Sequence, residues 1–219
     1  AGVGTNSLEH TISNIRLLEP HGVDFFLVVV PYYNKPPQEG IYQYYKAVAA
    51  ATDKPVVLYN VPGRTGVNMT AQTTLRLAEI ENIVAVKEAS GNREQILEIL
   101  NKRPEDFVVL SGNDDETFDL MNNGAEGIIS VASNIVPAMV TELSHKMLEG
   151  KVDEDRFHQY CQYVALIFKY SDPDMLLNGT QDSQLAAFAN GKAAFYHQGN
   201  WMDPNIVALN VGFDMAYAP

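Results

Sequence analysis

Unbroken apolar runs constrain this chain more than any other feature. They are VDFFLVVV (23–30), PVVLY (55–59), IVAV (83–86), FVVL (107–110) and GIISV (127–131). A strand with one wet face alternates apolar and polar residues. Short runs rich in Val and Ile, without alternation, suit strands of a parallel sheet covered on both faces. Amphipathic helical stretches with readable ends lie between them. Asn92 can cap the helix that carries Ile96, Leu97 and Leu100; Asn113 or Asp114 can cap the next, and Gly124 can close it. The opening AGVG (1–4) reads as the end of one more strand. About six βα units in roughly 150 residues is the spacing of a (β/α) barrel or of a doubly wound open sheet.

Composition narrows the function classes. Apolar content of 46% against 19% charged allows a sizeable core and argues against disorder. A net charge of −12, with no basic run, speaks against nucleic acid or an anionic membrane surface as partner. No apolar stretch reaches the ~20 residues that span a bilayer, and no secretory signal opens the chain, so the expected location is cytoplasmic. The single cysteine, Cys161, permits neither a disulfide framework nor a cysteine-based zinc site. It falls in the helical pattern Phe157, Tyr160, Val164, Ile167 and reads as a small core residue. The five histidines show no ligand spacing, so no metal and no cofactor are expected.

The style changes after Tyr170. The polar, turn-rich SDPDMLLNGTQDS is followed by a helical stretch (182–190), an apolar run KAAFYH (192–197), a short helix opened by Pro204 and a last run FDMAY (213–217). This order can continue an α/β fold. The two runs are expected as the last strands of the same sheet, giving an eight-stranded (β/α)8 TIM-barrel-like unit. The alternative is a doubly wound open parallel sheet.

In parallel α/β folds, sites gather at the carboxyl ends of strands. Those ends carry Tyr32 and Tyr33, then Tyr59 with Arg64 in the following NVPGRTG, then Lys87, then Ser111, Gly112 and Asn113, then Ser130 and Ser133. The set contains one amine, several phenols and one guanidinium. A lysine in an apolar pocket loses its proton more easily, and the neutral amine can attack a ketone to form an imine. A nearby tyrosine can shuttle protons, and Arg64 can grip a carboxylate through two parallel hydrogen bonds. Plainer readings stand beside these. A strand-end lysine often snorkels to solvent, tyrosines often pack a rim, and GRTG lacks the other residues of a phosphate loop.

The motifs PYYNKP, LYNVPGRTG, VKEASG and LSGND, in this order and at these separations, resemble dihydrodipicolinate synthase and, more broadly, the N-acetylneuraminate lyase superfamily. The resemblance covers residues 1 to about 168. It implies a (β/α)8 barrel that condenses pyruvate with aspartate semialdehyde through a lysine imine. By this resemblance Lys87 forms the imine, Tyr59 relays protons and Arg64 holds the second substrate's carboxylate. Tyr33 reaches into a neighbouring subunit of a homodimer. Gly112 and Ile129 line the pyruvate pocket, and Asn6 falls where a lysine inhibitor binds in members that have that control. The family also carries two earlier βα units with a Thr-Thr pair that binds the pyruvate carboxylate and continues the relay. Thr73 and Thr74 lie in a helix and cannot replace it, so impaired or absent activity is expected. Residues 171–219, with GTQDSQLAAFANGKAAFYHQGNW, resemble a stretch of periplasmic sugar-binding proteins of transporters. The expectation is an engineered chimera: a partial barrel (1–170) joined to a solute-binding-protein-like segment (171–219) that completes the same α/β unit. A residual solute-binding module and a folding chimera without function are the alternative readings.

Overall fold

Each apolar run becomes a strand of one parallel sheet in the computed structural model, which describes residues 1–150. The strands are β1 (Phe26–Val29), β2 (Val56–Asn60), β3 (Ile83–Glu88), β4 (Val108–Ser111) and β5 (Gly127–Ile128). They lie side by side in chain order, every neighbouring pair parallel. The opening residues add to the other side of β1. Gly2 bridges Leu27 in parallel, with Leu27 N–H donating to the Ala1 carbonyl at 2.8 Å and Val3 N–H to the Leu27 carbonyl at 3.0 Å. A doubly wound sheet reverses its strand order at a switch point. Here the order never reverses among the described residues, as in a barrel wall.

Helices connect the strands: α1 (Leu8–Leu18), α2 (Gln38–Ala49), the single turn α3 (Pro62–Thr65), α4 (Ala71–Ala78), α5 (Arg93–Lys102), α6 (Thr117–Asn122) and α7 (Pro137–Leu148). Ser7, Thr70 and Asn92 cap α1, α4 and α5 through their side-chain oxygens. Each satisfies a backbone N–H that the helix cannot, worth about 1 kcal/mol. Gly124, in a left-handed conformation at φ +102°, follows α6 and turns the chain into β5. The core lies between sheet and helices. Phe26, Val28, Leu58, Val86 and Val109 from the strands meet Ile41, Tyr45, Val48, Leu77, Ile96 and Ile99 from the helices, all fully buried. Each such side chain contributes roughly 1.5–3 kcal/mol by leaving water.

Two local expectations differ from the structure. Neither Asn113 nor Asp114 caps α6; the helix begins after Glu116 without a side-chain cap. Asn113 instead donates its amide to Glu116 Oε2 at 2.8 Å, and Asp114 turns to the β5 side. The run 127–131 is strand only over Gly127–Ile128. Ile129 N–H still reaches the Ser111 carbonyl at 2.9 Å. The Val131 and Ala132 N–H groups are taken by Asp114 Oδ2 at 3.0 and 3.1 Å, so the chain leaves the sheet there. Cys161, the helical stretch 182–190 and the two runs expected as closing strands lie outside the described residues. Among the described residues no helix is long and apolar enough to cross a membrane.

Candidate active site

Parallel pairing of β2 with β3 puts Tyr59 opposite Lys87 and Asn60 opposite Glu88. Side chains alternate across a strand, so Tyr59 and Lys87 share one face of the sheet, and Asn60 and Glu88 share the other. Lys87 is only 8% exposed, which removes the snorkelling reading. Its Nζ lies over the Tyr59 ring, 4.3 Å from the centroid. Neither the amine nor the phenol hydroxyl makes a hydrogen bond with another described side chain, so both remain available to a bound molecule. Burial lowers the Lys87 pKa, and the Asp114 carboxylate opposes that only in part. Burial likewise raises the Tyr59 pKa, against the Arg64 guanidinium. Both shifts favour neutral amine beside neutral phenol, the pair that nucleophilic attack and proton donation need.

Gly112 makes room for this lysine. A Cβ there would stand 3.1 Å from Lys87 Cε, 3.1 Å from the Glu88 carbonyl and 2.7 Å from Ala89 Cβ. Glycine lets β4 approach β3 closely, with Gly112 N–H donating to the Glu88 carbonyl at 2.7 Å. Ile129 follows β5 and is half-buried. Asp114, after β4, accepts from the Ser130 hydroxyl and from the two backbone N–H groups that follow. It thus fixes the β5 exit and supplies the negative charge nearest in effect to Lys87.

The other expected residues sit on the loops. Arg64 is exposed on α3, and no described carboxylate pairs with it. Tyr33 is 86% exposed, with a left-handed backbone at φ +68°. Its N–H reaches the Thr65 carbonyl at 3.4 Å, tying the β1 loop to the turn that carries Arg64. Asn6 receives the Asn34 amide on its carbonyl at 2.9 Å, which joins the first loop to the same β1 loop. No described contact brings Asn6 to Lys87. Among the described residues no three His, Cys, Asp or Glu side chains converge as a metal site.

Two residues escaped the sequence reading. Glu88 is fully buried. Its carboxylate accepts from Asn60 Nδ2 at 3.1 and 3.2 Å, from Ser90 N–H at 2.9 Å and from Gln95 Nε2 at 3.4 Å. Burial pushes its pKa up to about 7 in spite of these donors. The signal was present in VKEAS, where a carboxylate continues a run buried on both faces. The sequence offers Asp114 only as a helix cap.

The model of the dihydrodipicolinate synthetase family matches residues 1–173. The 4-hydroxy-tetrahydrodipicolinate synthase of Parabacteroides distasonis is 49% identical over 175 residues, 78% of this chain and 59% of the relative. That of Neisseria meningitidis is 50% identical over 152 residues, 69% of this chain and 52% of the relative. The chain therefore spans between half and three-fifths of the length of these relatives. Among solved structures, dihydrodipicolinate synthase from Aquifex aeolicus superposes with a TM-score of 0.75 at 36% identity, covering 96% of this chain and 71% of its own. The Cyanidioschyzon merolae enzyme, solved with lysine bound, gives 0.75 at 35% identity over 95% of this chain and 72% of its own. The Acinetobacter baumannii enzyme, complexed with pyruvate, gives 0.74 at 32% identity over 95% and 72%. On motif, strand order and similarity together, this chain belongs to the dihydrodipicolinate synthetase family.

Proposed function

We propose that Lys87 forms an imine with pyruvate and that the site is built for its condensation with aspartate semialdehyde. The observation that carries this reading is the buried Lys87 amine against Tyr59, with its proton affinity lowered by desolvation. The neutral amine attacks the ketone carbon, the carbinolamine loses water, and the imine then loses a methyl proton to give an enamine. The enamine carbon attacks the aldehyde of the second substrate. Tyr59 supplies and recovers the protons of the enamine and condensation steps. Arg64, unpaired among the described residues, receives the second carboxylate. Gly112 and Ile129 line the pyruvate pocket. A relative solved with pyruvate supports the first substrate; Asn6 is assigned to an inhibitor site by the motif resemblance, and a relative has been solved with lysine bound. Exposed Tyr33 is assigned to a neighbouring subunit's site in a homodimer.

The sequential strand order supports a closed barrel as the complete fold. For the 219-residue chain alone we propose slow turnover, because the Tyr59 hydroxyl has no described partner to continue a proton relay. Residues 171–219, nearly all beyond the family match to residues 1–173, are assigned a separate, solute-binding-protein-like origin on their sequence resemblance alone. The test is incubation with pyruvate and borohydride, which reduces an imine to a stable secondary amine, followed by intact mass. An adduct on the wild-type chain, absent from Lys87→Ala, is expected. No adduct on the wild type overturns the reading.

A further inference from the structure

The ladder between β2 and β3 is not continuous. Val56 pairs with Ile83, but Val57 pairs with Ala85, so one residue of β3 is skipped near the start of both strands. A bulge of this kind leaves register to be decided further along. A slip of one residue would turn Lys87 to the helix side of the sheet. Something beyond the bulge must select the pairing in which Tyr59 faces Lys87.

Glu88 stands where that selection is made. It is the last residue of β3 and the register partner of Asn60, the last residue of β2. The Asn60 amide donates to both Glu88 oxygens and, from the same nitrogen, to Asn68 Oδ1 at 2.9 Å and the Met69 carbonyl at 3.2 Å. Its Oδ1 accepts the Met69 N–H at 3.0 Å. Gln95 on α5 closes the ring. It donates to the Met69 carbonyl at 3.1 Å and to Glu88, and it accepts from Asn68 Nδ2 at 2.8 Å. Asn60, Met69, Glu88 and Gln95 of this cluster are buried on the helix side, back to back with the amine and the phenol.

We propose that Glu88 is a positioning residue: its carboxylate, held by Asn60 and Gln95, locks the carboxyl ends of β2 and β3 in the register that sets Lys87 over Tyr59. This rests on the imine reading above. Glu88 touches no substrate. It acts through the strand ends, and only a group accepting at both oxygens satisfies Asn60, Ser90 and Gln95 together. The same length of side chain without a second acceptor leaves one donor facing another.

The test is borohydride trapping with pyruvate on the full chain, read as rate per folded molecule, with thermal melting as the check on folding. Glu88→Ala should lower the trapping rate at saturating pyruvate about tenfold or more, while the half-saturating pyruvate concentration moves by less than about twofold. Glu88→Gln, which keeps one acceptor oxygen but sets its amide against the remaining donors, should recover only in part, to a rate between those of Glu88→Ala and wild type. A residue that serves only stability would lower the folded fraction and leave the rate per folded molecule unchanged. Gln95→Leu removes only the tie to α5 and serves if Glu88→Ala does not fold; its rate should fall about threefold or more. Wild-type trapping with folded variants at the wild-type rate overturns this inference alone. A wild-type chain that forms no adduct overturns the imine reading, and this inference with it.

Discussion

Lys87 and Tyr59 are register partners on adjacent parallel strands, and the lysine Nζ lies 4.3 Å from the tyrosine ring centroid. The ring therefore forms one wall of the space that the amine occupies, while its hydroxyl remains free among the described residues. The ring packs against the amine, and the hydroxyl is the group proposed above for proton transfer.

Tyr59→Phe separates them. The ring and its contact with the amine survive, and only the hydroxyl is lost. Borohydride trapping with pyruvate should stay within about threefold of wild type, whereas condensation with the aldehyde should fall by about two orders of magnitude, the ordinary worth of a positioned acid–base group. Equal losses in both assays would show that the hydroxyl already acts in imine formation.

Gly112→Ala tests the packing around the amine. The added methyl meets Ala89 Cβ at 2.7 Å and Lys87 Cε at 3.1 Å. We expect destabilisation of about 1–3 kcal/mol, the usual cost of overpacking, together with slower trapping because Lys87 is pushed from its place. Denaturant unfolding and the trapping rate should therefore change together.

Asp114→Asn removes a charge while preserving shape. The Asp114 carboxylate holds the Lys87 pKa up, against the larger lowering by burial. Without it the amine should lose its proton at lower pH, and the midpoint of trapping against pH should move down. The weakened acceptors for Val131 and Ala132 should cost about 1 kcal/mol of stability, as for a lost helix cap. A midpoint that moves up would contradict the assigned sign.

Glu88 makes stability depend on pH in an unusual direction. Its folded pKa, about 7, lies above its ordinary value of 4.5. Between the two, the folded state binds the proton more tightly than the unfolded chain does. The stability from this group is full below pH 4.5, falls as pH rises towards 7, and is level above that. The whole difference is up to ~3 kcal/mol. Replacement by Gln removes this titration. Urea unfolding of wild type and Glu88→Gln at pH 5 and pH 8 should therefore show the difference moving in favour of the variant as pH rises.

The sequence alone determined the strands, their order of appearance and the start of α5. Runs such as IVAV and PVVLY suit a sheet covered on both faces, and Asn92 is built to accept the first free N–H groups of a helix. It also marked Lys87, Tyr59 and Arg64 through motif and strand-end position, and the family relationship was legible in four motifs. Tertiary structure decided the rest. Whether Lys87 is buried depends on how closely β4 approaches at Gly112, a fact about two strands rather than one. The place of Tyr59 over the amine depends on a register interrupted by a bulge, which no local pattern encodes. Asp114 was a plausible helix cap until β5 offered it better donors. Glu88 read as one more polar residue after a strand, because its partners, Asn60 and Gln95, lie 28 and 7 residues away and meet it only when the sheet and α5 pack together.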